Sequence, residues 1–188
     1  MTAHQLASLI WDIKDIIRDV YEDPEVENVI LPFTLLRRMD CVLQDKKPLI
    51  DGELDKLPKE GPNAEMMRRI RLDSLMRQYK LSFYNSSRFS LSSLLQVPSE
   101  IADNFKIYLE GFTDNVKDIL NNFTHEDSGS GDLTRIYSRL ERAGLLYAVT
   151  QAFVMKADLR PEVVDNAMMG TAFETVIRWS KESSNTMA

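Results

Sequence analysis

Between Leu6 and Val20 the apolar residues recur every three or four positions: Leu6, Leu9, Ile10, Ile13, Ile16, Ile17 and Val20. At 100° per residue they occupy an arc of about 120°, so the segment reads as a helix with a single apolar face. The same period returns along most of the chain. No segment combines sustained apolar/polar alternation with β-branched enrichment, which excludes most sheet architectures. No unit of 20–50 residues repeats, so a solenoid is excluded as well.

The seven glycines and seven prolines fall mostly between these periodic segments. Val29 to Leu43 is apolar over most of its circumference, broken clearly only by Arg37, Arg38 and Asp40. It predicts a buried helix, with Pro32 near its start or kinking it. Gln44 to Asn63 holds three prolines and two glycines and reads as a polar excursion or loop. Ala64 to Tyr79 predicts a helix with a basic face, and Asn85-Ser86-Ser87 a turn. Ser90 caps a short helix to Gln96, and Ser99 is the candidate cap of the next, which ends at Gly111. Thr113 or Asp114 starts another, ending near Phe123. His125 to Asp132 is the clearest flexible loop by composition. Leu133 to Ala143 is a helix stopped by Gly144. Leu145 to Met155, apolar nearly all round, is expected at the centre of the core. Asp165 or Asn166 caps a last helix through Trp179. The expectation is one all-α domain over residues 1–188 with about eight to ten helices, and at most a short β pair in 81–89.

With 44% apolar and 28% charged residues, the composition is that of an ordinary globular chain and not a disordered one. No apolar run approaches the roughly 18 residues that span a bilayer, and the N-terminus lacks the basic-then-apolar pattern of a secretory signal. A membrane partner is not expected. The single cysteine, Cys41, cannot form an internal disulfide, and a cytoplasmic location is expected. A net charge of −6 argues against a free-standing nucleic-acid binder held on by bulk positive charge. The balance is uneven, however. Residues 1–94 carry 14 Lys/Arg against 15 Asp/Glu, and residues 95–188 carry 9 against 14. Met66 to Arg88 holds six bases and one acid, Asp73.

The chain carries few signals of chemistry. The chain has no glycine-rich phosphate loop of either common form. His4 and His125 lie far apart and, with one cysteine, give no zinc spacing. Cys41 sits on a largely apolar helix, the setting of a buried structural thiol. No catalytic, cofactor-binding or metal-ligating residue is therefore assigned, and no cofactor is expected on this chain. A small enzyme free of metal and cofactor finds no support for the same reason. Two features have both an ordinary and a sharper reading. Trp11 points away from the apolar face of its helix, beside Lys14 and Arg18; either a neighbouring helix covers it, or it meets another domain or subunit. The broad apolar arc of the last helix, with Phe173 and Trp179, invites the same interface reading. Arg68, Arg69, Arg71, Arg77 and Lys80 are either a solvated face or a set of contacts to DNA phosphates, with Tyr79, Phe83 and Tyr84 nearby to stack or pack.

Several stretches carry a resemblance. Leu6-Ala7-Ser8-Leu9-Ile10-Trp11-Asp12-Ile13 resembles the opening helix of the modification (M) subunit of type I restriction-modification enzymes. Val29-Ile30-Leu31-Pro32-Phe33-Thr34-Leu35-Leu36-Arg37-Arg38-Met39-Asp40-Cys41-Val42-Leu43 is similar to that family's most recognisable N-terminal stretch. Phe83-Tyr84-Asn85-Ser86-Ser87-Arg88-Phe89 resembles its Tyr-Asn-x-Ser turn. Ile107 to Val116, Ala143-Gly144-Leu145-Leu146-Tyr147 and the segment from Met169-Gly170 to Ile177-Arg178 also fit, in order along the chain.

The resemblance implies a helical N-terminal domain ahead of a Rossmann-like methyltransferase. That second domain binds S-adenosylmethionine and methylates adenine N6 through an Asn-Pro-Pro-aromatic motif. This chain has no Asn-Pro dipeptide. Family members continue from this helix end into a Gly-Glu-x-[Phe/Tyr]-Thr-Pro segment. Here the sequence reads Glu182-Ser183-Ser184-Asn185-Thr186-Met187-Ala188, so the catalytic domain is expected to be absent and would start just after residue 188. Ser128-Gly129-Ser130-Gly131 departs from the family pattern as an insertion. The implied role is to help enclose DNA and to assemble with the specificity and restriction subunits and a second modification subunit, without carrying chemistry. The rival reading is a free-standing helical adaptor or regulator.

Overall fold

The computed structural model describes residues 1–122 and 135–185. It is an all-α single domain with ten α-helices among the described residues. The β pair expected in 81–89 is reduced to one isolated antiparallel bridge, Asn85 to Phe112.

Helix α1 (Ala3–Ile17) begins three residues before the first stripe residue because Thr2 caps it. The Thr2 hydroxyl accepts from the Gln5 N–H at 3.2 Å, and the Gln5 side chain accepts from the Thr2 N–H at 2.9 Å. This reciprocal pair satisfies two otherwise orphaned donors. Leu6, Leu9, Ile10, Ile13 and Ile17 are buried, and each such side chain contributes about 1.5–3 kcal/mol. Helix α2 (Glu27–Leu43) buries residues around much of its circumference, including Ile30, Phe33, Leu36 and Met39. Pro32 lies inside its second turn.

Helix α9 (Leu146–Lys156) is central, as its composition implies. It packs against α1, α2, α5 (Leu91–Leu94), α6 (Ile101–Glu110) and α8 (Arg135–Arg142). Ring contacts tie these helices together. The Phe33 ring lies 5.5 Å from Phe153 and 5.7 Å from Phe105, which in turn lies 5.0 Å from Tyr137. Such pairs add about 0.5–1.5 kcal/mol each beyond area burial. Met155 of α9 is nevertheless 75% exposed. On the α1 side, the Lys156 ammonium pairs with Asp12.

Residues 44–63, expected as a loop, contain helix α3 (Lys47–Leu54). Its proline and glycine hide it from a composition reading. Pro48 occupies the first turn, where a missing N–H costs nothing. Gly52 faces open space. Ile50 and Leu54 of α3 join Leu43, Leu75 and Tyr84 in a second, smaller core. Leu75 belongs to α4 (Ala64–Gln78), of which it is the only buried residue.

The predicted caps fare unevenly. Ser90 caps α5 in a capping box with Ser93. Ser99 caps nothing; it sits in a 3₁₀ turn, Pro98–Glu100, that runs directly into α6. Helix α7 (Asp114–Asn121) follows Thr113, and Gly144 ends α8 at φ +71°. Asp165 caps α10 (Asn166–Asn185) by accepting from the Met168 N–H at 2.8 Å. The His125 to Asp132 segment lies outside the described residues. Among the described residues no helix is long and apolar enough to cross a membrane.

Candidate nucleic-acid interface

The basic segment folds as α4, held to the domain mainly through α3 and the small second core. Around the axis of an ideal helix Arg68 and Arg71 are about 60° apart, with Leu75 between them in projection. Both are half-buried beside the seam with α3. The Arg71 guanidinium donates to Glu53 at 3.1 Å, and Lys56 donates to the same carboxylate at 2.7 Å. The hydrogen bonds from Lys56 and Arg71 hold the Glu53 carboxyl below its usual range. Arg69 and Arg77 point away, at about 100° and 180° from Arg68, and both are exposed. Met66 (56% exposed) and Ile70 (61%) share this outward side.

Lys80 is also exposed and follows the helix end at φ +55°. The Leu81 N–H reaches the Met76 carbonyl at 2.8 Å and the Lys80 N–H the Arg77 carbonyl at 3.2 Å. This is a Schellman stop, at a position that ordinarily prefers glycine.

Tyr84 is wholly buried in the small core, where it cannot stack on a base. Its hydroxyl donates to Asp51 at 2.6 Å. Burial and the neighbouring Asp51 both raise its pKa. Tyr79 and Phe83 are half-buried and pack on the same core.

The turn that follows is structural. The Asn85 amide donates to the Tyr108 carbonyl at 2.8 Å, and its oxygen accepts from the Ser87 N–H and hydroxyl at 2.9 and 2.6 Å. Lys47 donates to the carbonyls of Asn85 and Ser87 at 2.7 and 2.6 Å. Gly111 presses against this turn so closely that a Cβ there would lie 2.7 Å from the Ser87 nitrogen and the Asn85 side-chain oxygen. Only glycine permits that approach.

Three charged residues toward the C-terminal half of α2, Arg37, Arg38 and Asp40, form a set of ties across the fold that the residue pattern alone does not assign. Arg37 donates to the Ala157 and Val154 carbonyls at 2.8 and 3.2 Å, closing the end of α9. Arg38 donates to the carbonyls of Leu159 and Val164 at 2.7 and 2.6 Å, pinning the connection to α10. Asp40 accepts from Arg37 at 3.0 Å and from the Leu91 N–H, at the start of α5, at 3.0 Å. Burial raises the Asp40 pKa, while the Leu91 N–H and Arg37 oppose the rise. The available signal was a cluster of charge on an otherwise buried helix, because a buried charge must have partners.

Of the three interface candidates, Trp11 is 70% exposed, with the Lys14 ammonium 5.5 Å from its ring centroid. Among the described residues no neighbouring helix covers it. Phe173 and Trp179 are half-buried and pack against the main core. Cys41 is buried, and burial pushes its thiol pKa up. Among the described residues no group of three or more His, Cys, Asp or Glu could hold a metal ion. Nor do they contain a strand followed by a glycine turn and helix, the usual seat of a nucleoside cofactor.

No curated protein and no solved structure significantly matches the chain. The family model of the HsdM N-terminal domain matches residues 6–153. That span is most of the chain, which therefore belongs to the family of N-terminal domains of type I restriction-modification modification subunits.

Proposed function

We propose that this domain serves a type I adenine-N6 DNA methyltransferase subunit in a non-catalytic role, helping to enclose DNA and to assemble the enzyme. The observation that carries the reading is α4. It presents Arg69 and Arg77 outward with no acidic partner among the described residues, on a helix anchored at one side only. Arg68 and Lys80 extend this set, while Arg71 contributes less because Glu53 already neutralises it. Such cations contact phosphates. They position the duplex without reading its sequence, since α4 has no Asn and its one Gln stands at the helix end. The exposed Trp11 supports a subunit contact on the far side of α1. The S-adenosylmethionine-dependent chemistry and the specificity and restriction subunits belong to the rest of the enzyme in this reading.

The test is DNA binding by the assembled enzyme as a function of salt. Replacing Arg69 and Arg77 together with Ala removes two phosphate contacts. The slope of log K against log salt is expected to flatten by about one to two units. Cognate and random duplexes lose affinity equally. Folding stays within about 0.5 kcal/mol, as for other exposed positions. An unchanged slope would show that the two arginines are only a solvated face.

A further inference from the structure

Phosphate contact explains the cations of α4 but not the apolar side chains beside them. Met67 is 41% exposed, and with Met66 and Ile70 it gives α4 three large apolar side chains in solvent. Among the described residues no other helix has as many. Met66 and Ile70 stand about 40° apart around an ideal helix, and Met67 about 60° further round. Apolar side chains scattered singly over a surface are ordinary, whereas a contiguous group marks a contact. None of the three joins the small second core. The group occupies the first half of α4, and Arg77 lies about 10 Å beyond Ile70 along the axis.

The charge around the group says what would cover it. Helix α4 carries four arginines against two acids, Glu65 and Asp73. Among the described residues only Arg71 of the four is met by an acid of this chain, Glu53. The surroundings are therefore net positive. Methionine and arginine are residue types that protein interfaces concentrate. A phosphate backbone satisfies the arginines but offers methionine and isoleucine no apolar surface. A second copy docked through the same face about a two-fold axis would set arginines against arginines.

We propose that the first half of α4 docks against a different subunit of the enzyme, on an apolar patch edged with carboxylates. Met66, Met67 and Ile70 are buried against that patch, and its negative edge meets the positive field of the helix. The complementarity is of summed charge, so it does not draw on the phosphate contacts of Arg69 and Arg77. The inference rests on the assembly part of the proposed role and leaves the DNA part to stand alone.

Oxidation by dilute hydrogen peroxide, read residue by residue by peptide mass spectrometry, compares the isolated chain with the assembled enzyme free of DNA. Met66 and Met67 are expected to oxidise at least about tenfold more slowly in the enzyme. Ile70→Glu, at an exposed position, is expected to weaken association with the other subunits at least about tenfold while the thermal midpoint of the chain stays unchanged. Ile70→Met keeps an apolar side chain and should retain association. Ile70→Lys should weaken it less than Ile70→Glu, because its charge suits an acidic edge and its stem still packs. Unchanged oxidation of Met66 and Met67 in the enzyme would overturn the proposal. Protection that appears only when DNA is added would give the group to the duplex and overturn it too. So would full assembly of the Ile70→Glu enzyme, or a larger loss with Ile70→Lys than with Ile70→Glu. Self-association of the isolated chain that Ile70→Glu abolishes, read by sedimentation, would assign the face to a second copy and equally overturn it. The salt slope of Arg77→Ala reports the phosphate contact separately, so either reading can fail without the other.

Discussion

The two cores of this domain are built to different standards. The main core, around α1, α2 and α9, is joined by stacked aromatic rings and closed by three charged side chains of α2 that bond across the fold. The second core holds five buried residues, and α4 gives it one. The first region has the packing of a rigid frame. The second has just enough apolar contact to present a mostly exposed, cation-bearing helix at a defined place. Stability and presentation are thus assigned to separate parts of one chain, and substitutions in the two regions should separate accordingly.

The largest expected effect lies in the frame. Phe33→Ala deletes a ring in contact with Phe105 and Phe153 and should cost about 3–5 kcal/mol in urea unfolding. A loss under about 1 kcal/mol would mean that the rings do not organise the frame. Arg37→Ala comes next, at about 3 kcal/mol. It strands the Asp40 carboxylate and two carbonyls at the end of α9. Chemical denaturation of Arg37→Ala beside the double change with Asp40→Asn checks this: the double change should recover part of the loss. Additive losses would deny the coupling.

Leu75→Ala sharpens the contrast. It should cost about 2 kcal/mol, at the low end for a buried leucine, because so small a core can close around the gap. Amide exchange should quicken in 47–81 and stay unchanged in α1 and α9. Uniform acceleration across the chain would show that the two cores unfold as one unit. The smallest effect is a gain. Lys80→Gly relieves a left-handed backbone position and should stabilise the chain by about 0.5–1 kcal/mol, read from the thermal midpoint. A loss would show that the Lys80 side chain holds something the backbone strain does not outweigh.

Much of the helical layout was legible because amphipathic periodicity is local. The α1 stripe, the apolar α9 and the Ser90 cap follow from residues within a few positions of one another. Helix α3 was not legible. Its Pro48 and Gly52 count against a helix in a composition window, although a proline in the first turn and a glycine on an open face are harmless. Ser99 misled for the converse reason: the 3₁₀ turn before α6 left it no helix terminus to cap. In the candidate interface the sequence lists five cations as equals. Which are free depends on α3, since Glu53 reaches Arg71 from another helix 18 residues away.

What the sequence determined alone is the helical class, the positions of most helices and the family, because these rest on short-range pattern and on the order of recognisable stretches. Only the tertiary structure decided what the charges and polar groups do. It turned Arg37, Arg38 and Asp40 from interruptions of a buried helix into its ties to α9, α10 and α5. It made the 85–87 turn a hub against Gly111 and left the Tyr108 hydroxyl without a hydrogen-bond partner among the described residues. The physical reason is range. A helix forms from residues three and four apart, whereas a buried charge or hydroxyl is satisfied by whatever the fold places beside it. For Arg37 that partner lies 120 residues along the chain.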